Sequence, residues 1–189
     1  MGGFLTLRAL AERAIDPDAA VLVAPMLGLR SPFGAWGGGA LARWLAGRGD
    51  PRRAAWRERG LLHADRARQR RLTHDLARFA EELRWRDARP ELFIGAPSWH
   101  WLVQAFAATA LLRADPRLES IATPVQMLVA DADKLVDPRA ARRVAARLPD
   151  AELVRFARES AHEILRETDA VRARALGLID DFLDRRAPA

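Results

Sequence analysis

The 189-residue chain contains no cysteine. That absence excludes a disulfide framework, a cysteine zinc site and a thiol nucleophile, and it fits a reducing compartment. Long apolar runs are missing too: Arg or Asp interrupts every stretch well short of the roughly 18 to 20 residues a spanning helix needs. The opening Met1-Gly2-Gly3-Phe4 lacks the basic, apolar, small-residue order of a signal peptide, so the expectation is a cytoplasmic protein. Lysine is nearly absent, with Lys134 alone among 31 basic residues. Serine is scarce, and none of Ser31, Ser98, Ser120 and Ser160 lies in a G-x-S-x-G pattern.

What is present is the mixture of a globular protein, with 50% hydrophobic and 30% charged residues and a mean hydropathy of −0.17. The length suits one domain with a core of its own. A net charge of +6 and a pI near 11.2 invite a nucleic-acid reading. The Arg residues are scattered among Ala on nearly every segment, however, which is the pattern of a solvated surface. No nucleic-acid partner is therefore expected.

Phe4, Leu7, Ala11 and Ile15 fall at helical spacing, and Ala20 to Ala24 form a short apolar run bounded by Pro25, read as a buried strand. From Gly28 to Arg89, Gly37-Gly38-Gly39, Pro32 and Pro51 punctuate a stretch rich in Arg, Ala and Trp and almost free of Val and Ile, which predicts helical pieces near 40–46, 51–59 and 64–84 in place of strands. A largely apolar helix is expected over 98–112. Strands follow at Val125–Ala130 and Ala151–Phe156, with helices marked by Ala141, Val144, Ala145 and Leu148, and by Ala175, Leu178, Ile179 and Phe182. Strands separated by helices predict an α/β fold with a parallel sheet. Three strands are few for a sheet covered on both faces, so part of the domain is expected to lie outside the chain.

Parallel sheets present ligands beyond the carboxyl ends of their strands, which directs attention to 131–137 and 157–163. A carboxylate in the first loop could fix the tautomer of a histidine in the second. Asp137, before Pro138, reads as a helix N-cap. His63, His74 and His100 show no metal-ligand spacing, read as helix-surface or lid residues, and no metal or organic cofactor is expected.

These residues resemble the lysophospholipase and monoacylglycerol lipase branch of the α/β-hydrolase superfamily, catalogued with the serine aminopeptidase-like hydrolases. Residues 20–29 (AVLVAPMLGL) look like that family's sixth strand and the entry to its cap. Leu72-Thr73-His74 followed by 95–101 (GAPSWHW) is similar to the family's L-T-H and G-x-P-T-x-x-W, with Ser98 in place of Thr. The resemblance implies the acid at Asp133, from a motif like A-D-x-[LV]-V-D, and the base at His162, from one like G-A-x-H-E-I-L whose opening Gly is missing here.

The family carries its nucleophile as G-H-S-M-G-G, and this chain opens Met1-Gly2-Gly3. The resemblance implies that the catalytic serine is missing, just ahead of Met1, that the Met1 backbone amide is one oxyanion donor, and that Gly2 and Gly3 let the first helix pack closely on the nucleophile strand. It further implies one partial α/β-hydrolase domain over 1–189 containing strands 6 to 8, with a helical cap at 28–112. On this implication the cap forms an acyl tunnel using Trp36, Trp44, Trp56, Trp85, Trp99 and Trp101, with Trp99 and Trp101 binding substrate; the alternative for so Trp-rich a helical stretch is core packing.

The implied function is serine hydrolysis of carboxylic esters of single-chain lipids, by a chain inactive alone. Its partners would be a lipid ester and, through surface Arg, a membrane met peripherally. The competing reading is a noncatalytic remnant that binds a lipid or a partner protein through its cap and exposed sheet edge.

Overall fold

The computed structural model describes residues 1–56, 61–92 and 94–188, with the side chains of 61–65 left aside. Its centre is a three-stranded parallel sheet in the order β1 (Ala20–Val23), β2 (Val125–Ala130), β3 (Ala151–Phe156). Ala20 pairs with Val125 and Val125 with Ala151, so the three strands start level, and β2 and β3 also end level at Ala130 and Phe156. β2 is buried along its whole length, which explains why it reads as a continuous apolar run and not as an alternation.

Helices cover both faces. On one side α1 (Gly2–Ala11) and α6 (Pro138–Ala145) pack Phe4, Leu7, Ala141 and Val144 against Leu22, Met127 and Val129. On the other, α7 (Asp169–Arg186) lays Val171 and Ala175 on Leu128, Ala130 and Phe156. Gln126 crosses to that side, donating from Nε2 to the Leu178 carbonyl at 2.9 Å.

α1 stops earlier than its apolar spacing predicts. Arg13 adopts φ +54, its amide bonds the Leu10 carbonyl, and the Ala14 amide bonds the Ala9 carbonyl. This pair of bonds closes the helix as a Schellman motif. Ile15 is consequently exposed and not part of the core face. Gly3 is the close-packing glycine of this helix: a Cβ there would stand 2.8 Å from Pro25 Cβ, just past β1, whereas at Gly2 it would meet nothing.

Between β1 and β2 the chain makes α2 (Gly34–Ala46), α3 (Leu61–Leu72), α4 (Leu76–Ala88) and α5 (Trp99–Ala114). α2 includes Gly37-Gly38-Gly39; a Cβ on Gly38 would lie 2.7 Å from Phe106 of α5, so the missing side chain sets how closely these two helices approach. The helix expected over 51–59 does not form in its described part, 51–56. There the Ala55 amide bonds the Pro97 carbonyl, while the Arg53 and Pro51 carbonyls accept from Trp99 and His100, so the backbone is committed to the start of α5. The single helix expected over 64–84 is two, broken at residues 73–75. Among the described residues no helix is long and apolar enough to cross a membrane.

Candidate active site

The level ends of β2 and β3 bring their two following loops together, and the Asp131 amide bonds the Phe156 carbonyl at 2.7 Å. The sequence offers three aspartates in the first loop, and the structure gives each a different task. Asp131 bridges Arg142 of α6 at 2.7 Å and Arg155 of β3 at 2.6 Å, and that bond holds the Arg155 guanidinium above its ordinary pKa. Asp137 caps α6, accepting from the Arg139 amide at 2.9 Å, as its place before Pro138 suggests.

Asp133 turns inward. It is 1% exposed, and its Oδ1 accepts from the Leu135 and Val136 amides at 2.7 and 3.1 Å. Its Oδ2 faces Nδ1 of His162 at 2.6 Å. A carboxylate oxygen can only accept, so Nδ1 carries the proton, and in the neutral ring Nε2 is then the nitrogen with the lone pair. The loop is also held from the far side, where Arg30 donates from Nη1 to the Asp133 carbonyl at 2.7 Å and Leu29 bridges to Val136. The His162 side chain retains 25% exposure, enough to meet a substrate. The arrangement is a fixed imidazole with a buried orienting carboxylate and a free basic nitrogen.

No hydroxyl among the described residues hydrogen-bonds to His162. Each serine has a local task instead. Ser31 Oγ accepts from the Phe33 amide, Ser98 caps α5 by accepting from the Trp101 amide, Ser120 donates to the Arg117 carbonyl, and buried Ser160 donates to the Ala161 carbonyl. Met1 stands at the N-cap of α1, its carbonyl accepting from Phe4 and Leu5.

Trp101 packs with Met26, Ala105 and Val136, and Trp99 is half-buried on the same turn of α5. The tunnel expected of all six tryptophans is not formed, because Trp36, Trp44, Trp56 and Trp85 face solvent, Trp36 at 84% exposure. A polar cavity of about 470 Å³ opens instead between residues 29–35 and the start of α6, lined by Arg30, Ser31, Asp131, Asp137 and Arg142. Among the described residues no group of three or more His, Asp or Glu is placed to hold a metal ion.

Sequence reasoning did not find one contact. His74, read as a helix-surface or lid residue, is exposed between α3 and α4, and its Nδ1 lies 3.0 Å from the carboxylate of Glu167, which is fully buried. His100 is exposed on α5, and the side chain of His63 lies outside the described residues. The spacing of five residues between His162 and Glu167 was the only available signal, and without a three-dimensional frame it points nowhere.

The site is thus an acid–histidine pair at the carboxyl edge of the parallel sheet of an α/β protein. The profile of the serine aminopeptidase, S33 family matches residues 1–169, and the chain belongs to that family. It is 32% identical over 120 residues to lysophospholipase L2 of Escherichia coli K12, an alignment covering 60% of this chain and 35% of that protein. Among solved structures it resembles the monoglyceride lipase of Saccharomyces cerevisiae, with a TM-score of 0.72 and 18% identity over 97% of this chain and 59% of the lipase. It also resembles the monoacylglycerol lipase of Paleococcus ferrophilus, with a TM-score of 0.70 and 21% identity over 98% of this chain and 65% of the lipase. The fold is thus that of the α/β-hydrolases, of which the chain spans a part.

Proposed function

We propose that the whole protein is a serine hydrolase acting on carboxylic esters of single-chain lipids, a lysophospholipid or monoacylglycerol, and that residues 1–189 carry its acid and base. The observation that carries the reading is the 2.6 Å contact between His162 Nδ1 and buried Asp133 at the edge of a parallel sheet. Family membership supports hydrolysis, and the lysophospholipase relative supports the lipid substrate.

In this reading a serine contributed by sequence ahead of Met1 attacks the acyl carbonyl. His162 Nε2 takes its proton, and Asp133 stabilises the imidazolium. The Met1 amide, within a longer chain, donates to the oxyanion. Collapse of the tetrahedral species expels the alcohol, which receives the proton from His162, and water then releases the fatty acid by the same route. Helices α2 to α5, within 28–112, act as the cap, with Trp99 and Trp101 against the acyl chain.

A fluorophosphonate probe tests the assignment. A chain extended ahead of Met1 so as to include a G-H-S segment is expected to label and turn over lipid ester, and residues 1–189 alone to do neither. Labelling of 1–189 that is abolished by changing one of its four serines overturns it.

The second reading is a lipid- or protein-binding module without catalysis, and the behaviour of the isolated residues 1–189 tells the two apart. Among the described residues β1 pairs only with β2, leaving its other edge without a strand. Such an edge recruits another strand.

A further inference from the structure

We propose that Glu167 is a positioning residue for His162, tying the segment between α3 and α4 to the loop that carries the histidine. The inference rests on the acid–base role given to His162 above. Glu167 is fully buried, and a buried carboxylate is tolerated only when its oxygens are well supplied with donors. Its Oε1 accepts from the Ala161 amide at 2.8 Å and from the His74 amide at 3.1 Å, and His74 Nδ1 lies 3.0 Å from it. Its Oε2 is shared with the His74 and Thr168 amides at 3.1 and 3.4 Å. One carboxylate thus grips the peptide immediately before His162 and both the backbone and the ring of His74.

The two segments are laced together around it. The His162 and Glu163 amides donate to the Arg71 and Leu72 carbonyls at 3.2 and 2.7 Å, which satisfies orphan carbonyls at the end of α3. Thr73 Oγ1 donates to the Arg166 carbonyl at 2.6 Å. The Arg78 guanidinium bonds the Glu167 carbonyl and Asp169, and Arg166 returns to the Arg78 carbonyl and to Glu163. The break at 73–75 that splits the expected helix exists to bring His74 to this carboxylate. His162 is therefore seated on Asp133 only while the end of α3 is seated on its loop, so displacement of that part of the cap and loss of the oriented base are one event.

Glu167→Gln keeps the volume but presents an NH₂ to amides that need an acceptor. In ¹⁵N-histidine-labelled protein the deshielded Nδ1 proton of His162, assigned by its loss in Asp133→Asn, is expected to broaden or vanish in Glu167→Gln. The Ala161 amide is expected to exchange with solvent about 10-fold faster or more. Glu159→Gln, an equal charge change on the same loop whose partner is Arg174, should leave both readouts in place. Should Glu167→Gln fail to fold, His74→Ala, at a side chain 47% exposed, reads the same tie, with faster Ala161 exchange that His74→Asn restores.

An unchanged Nδ1 signal with unchanged Ala161 exchange, in folded Glu167→Gln or in His74→Ala, overturns the proposal, as does an Nδ1 signal missing from the unaltered protein. Probe labelling of the whole protein judges the hydrolase reading separately, because neither NMR readout needs the nucleophile.

Discussion

At the scale of single residues, the site depends on which aspartate faces the histidine. Asp131 and Asp137 are spent on arginines and on a helix N-terminus, and only Asp133 is both buried and turned toward His162. Asp133→Asn keeps the shape but offers an NH₂ where Nδ1–H needs an acceptor, favouring the wrong tautomer. Turnover of lipid ester by the whole protein is expected to fall about 10⁴-fold with little change in KM. A loss below 10-fold, read from steady-state kinetics, sinks the triad assignment.

Asp115 shows what a surface carboxylate does when its partner is well placed. Hydrogen bonds from the Arg117 side chain and backbone amide hold it at about pKa 2. A depressed folded-state value means that its contribution is complete above the unfolded value of about 3.9 and is lost as pH falls through the folded one. Carboxyl ¹³C titration should place the Asp115 midpoint near 2. A midpoint at the ordinary aspartate value removes the ion pair as the cause.

At the scale of elements, α1 records two opposite backbone demands. Its Schellman ending puts Arg13 in a left-handed conformation that glycine adopts freely. Arg13→Gly is expected to stabilise the chain by about 1 kcal/mol in denaturant titrations, and a destabilised variant contradicts this account of the helix end. At the other end, Gly3→Ala drives a methyl into Pro25 and should cost about 1 to 3 kcal/mol. Gly2→Ala meets open space and should be neutral or slightly stabilising by virtue of helix propensity. Equal effects at the two glycines would show that close approach to Pro25 is not what Gly3 supplies.

At the scale of the whole molecule, the sheet is covered on both faces but, among the described residues, has edges without a strand at β1 and β3. If the hydrolase reading holds, residues 1–189 alone should self-associate or require a partner, as seen by light scattering of the purified chain. A monodisperse monomer that unfolds cooperatively supports the binding-module reading.

The three strands and the helices at 99–114, 138–145 and 169–186 were legible because their signals are local: apolar periodicity, Pro punctuation and the cap Asp137. The stretch between β1 and β2 was read less well. Residues 51–56 give their backbone bonds to residues 97–100, more than forty positions away, and the kink at 73–75 answers to Glu167, more than ninety away. Local propensity cannot see partners at that range.

By itself the sequence determined the parallel α/β class, the two loops that hold the chemistry, and the resemblance that singles out Asp133 and His162. Periodicity, composition and spacing are properties of neighbours along the chain. Only the tertiary structure decided that Asp131 is held by two arginines, that four of six tryptophans face outward, and that His74 and the loop of His162 meet at buried Glu167. Those outcomes depend on burial and on hydrogen-bond satisfaction, which exist only once distant segments have been brought into contact.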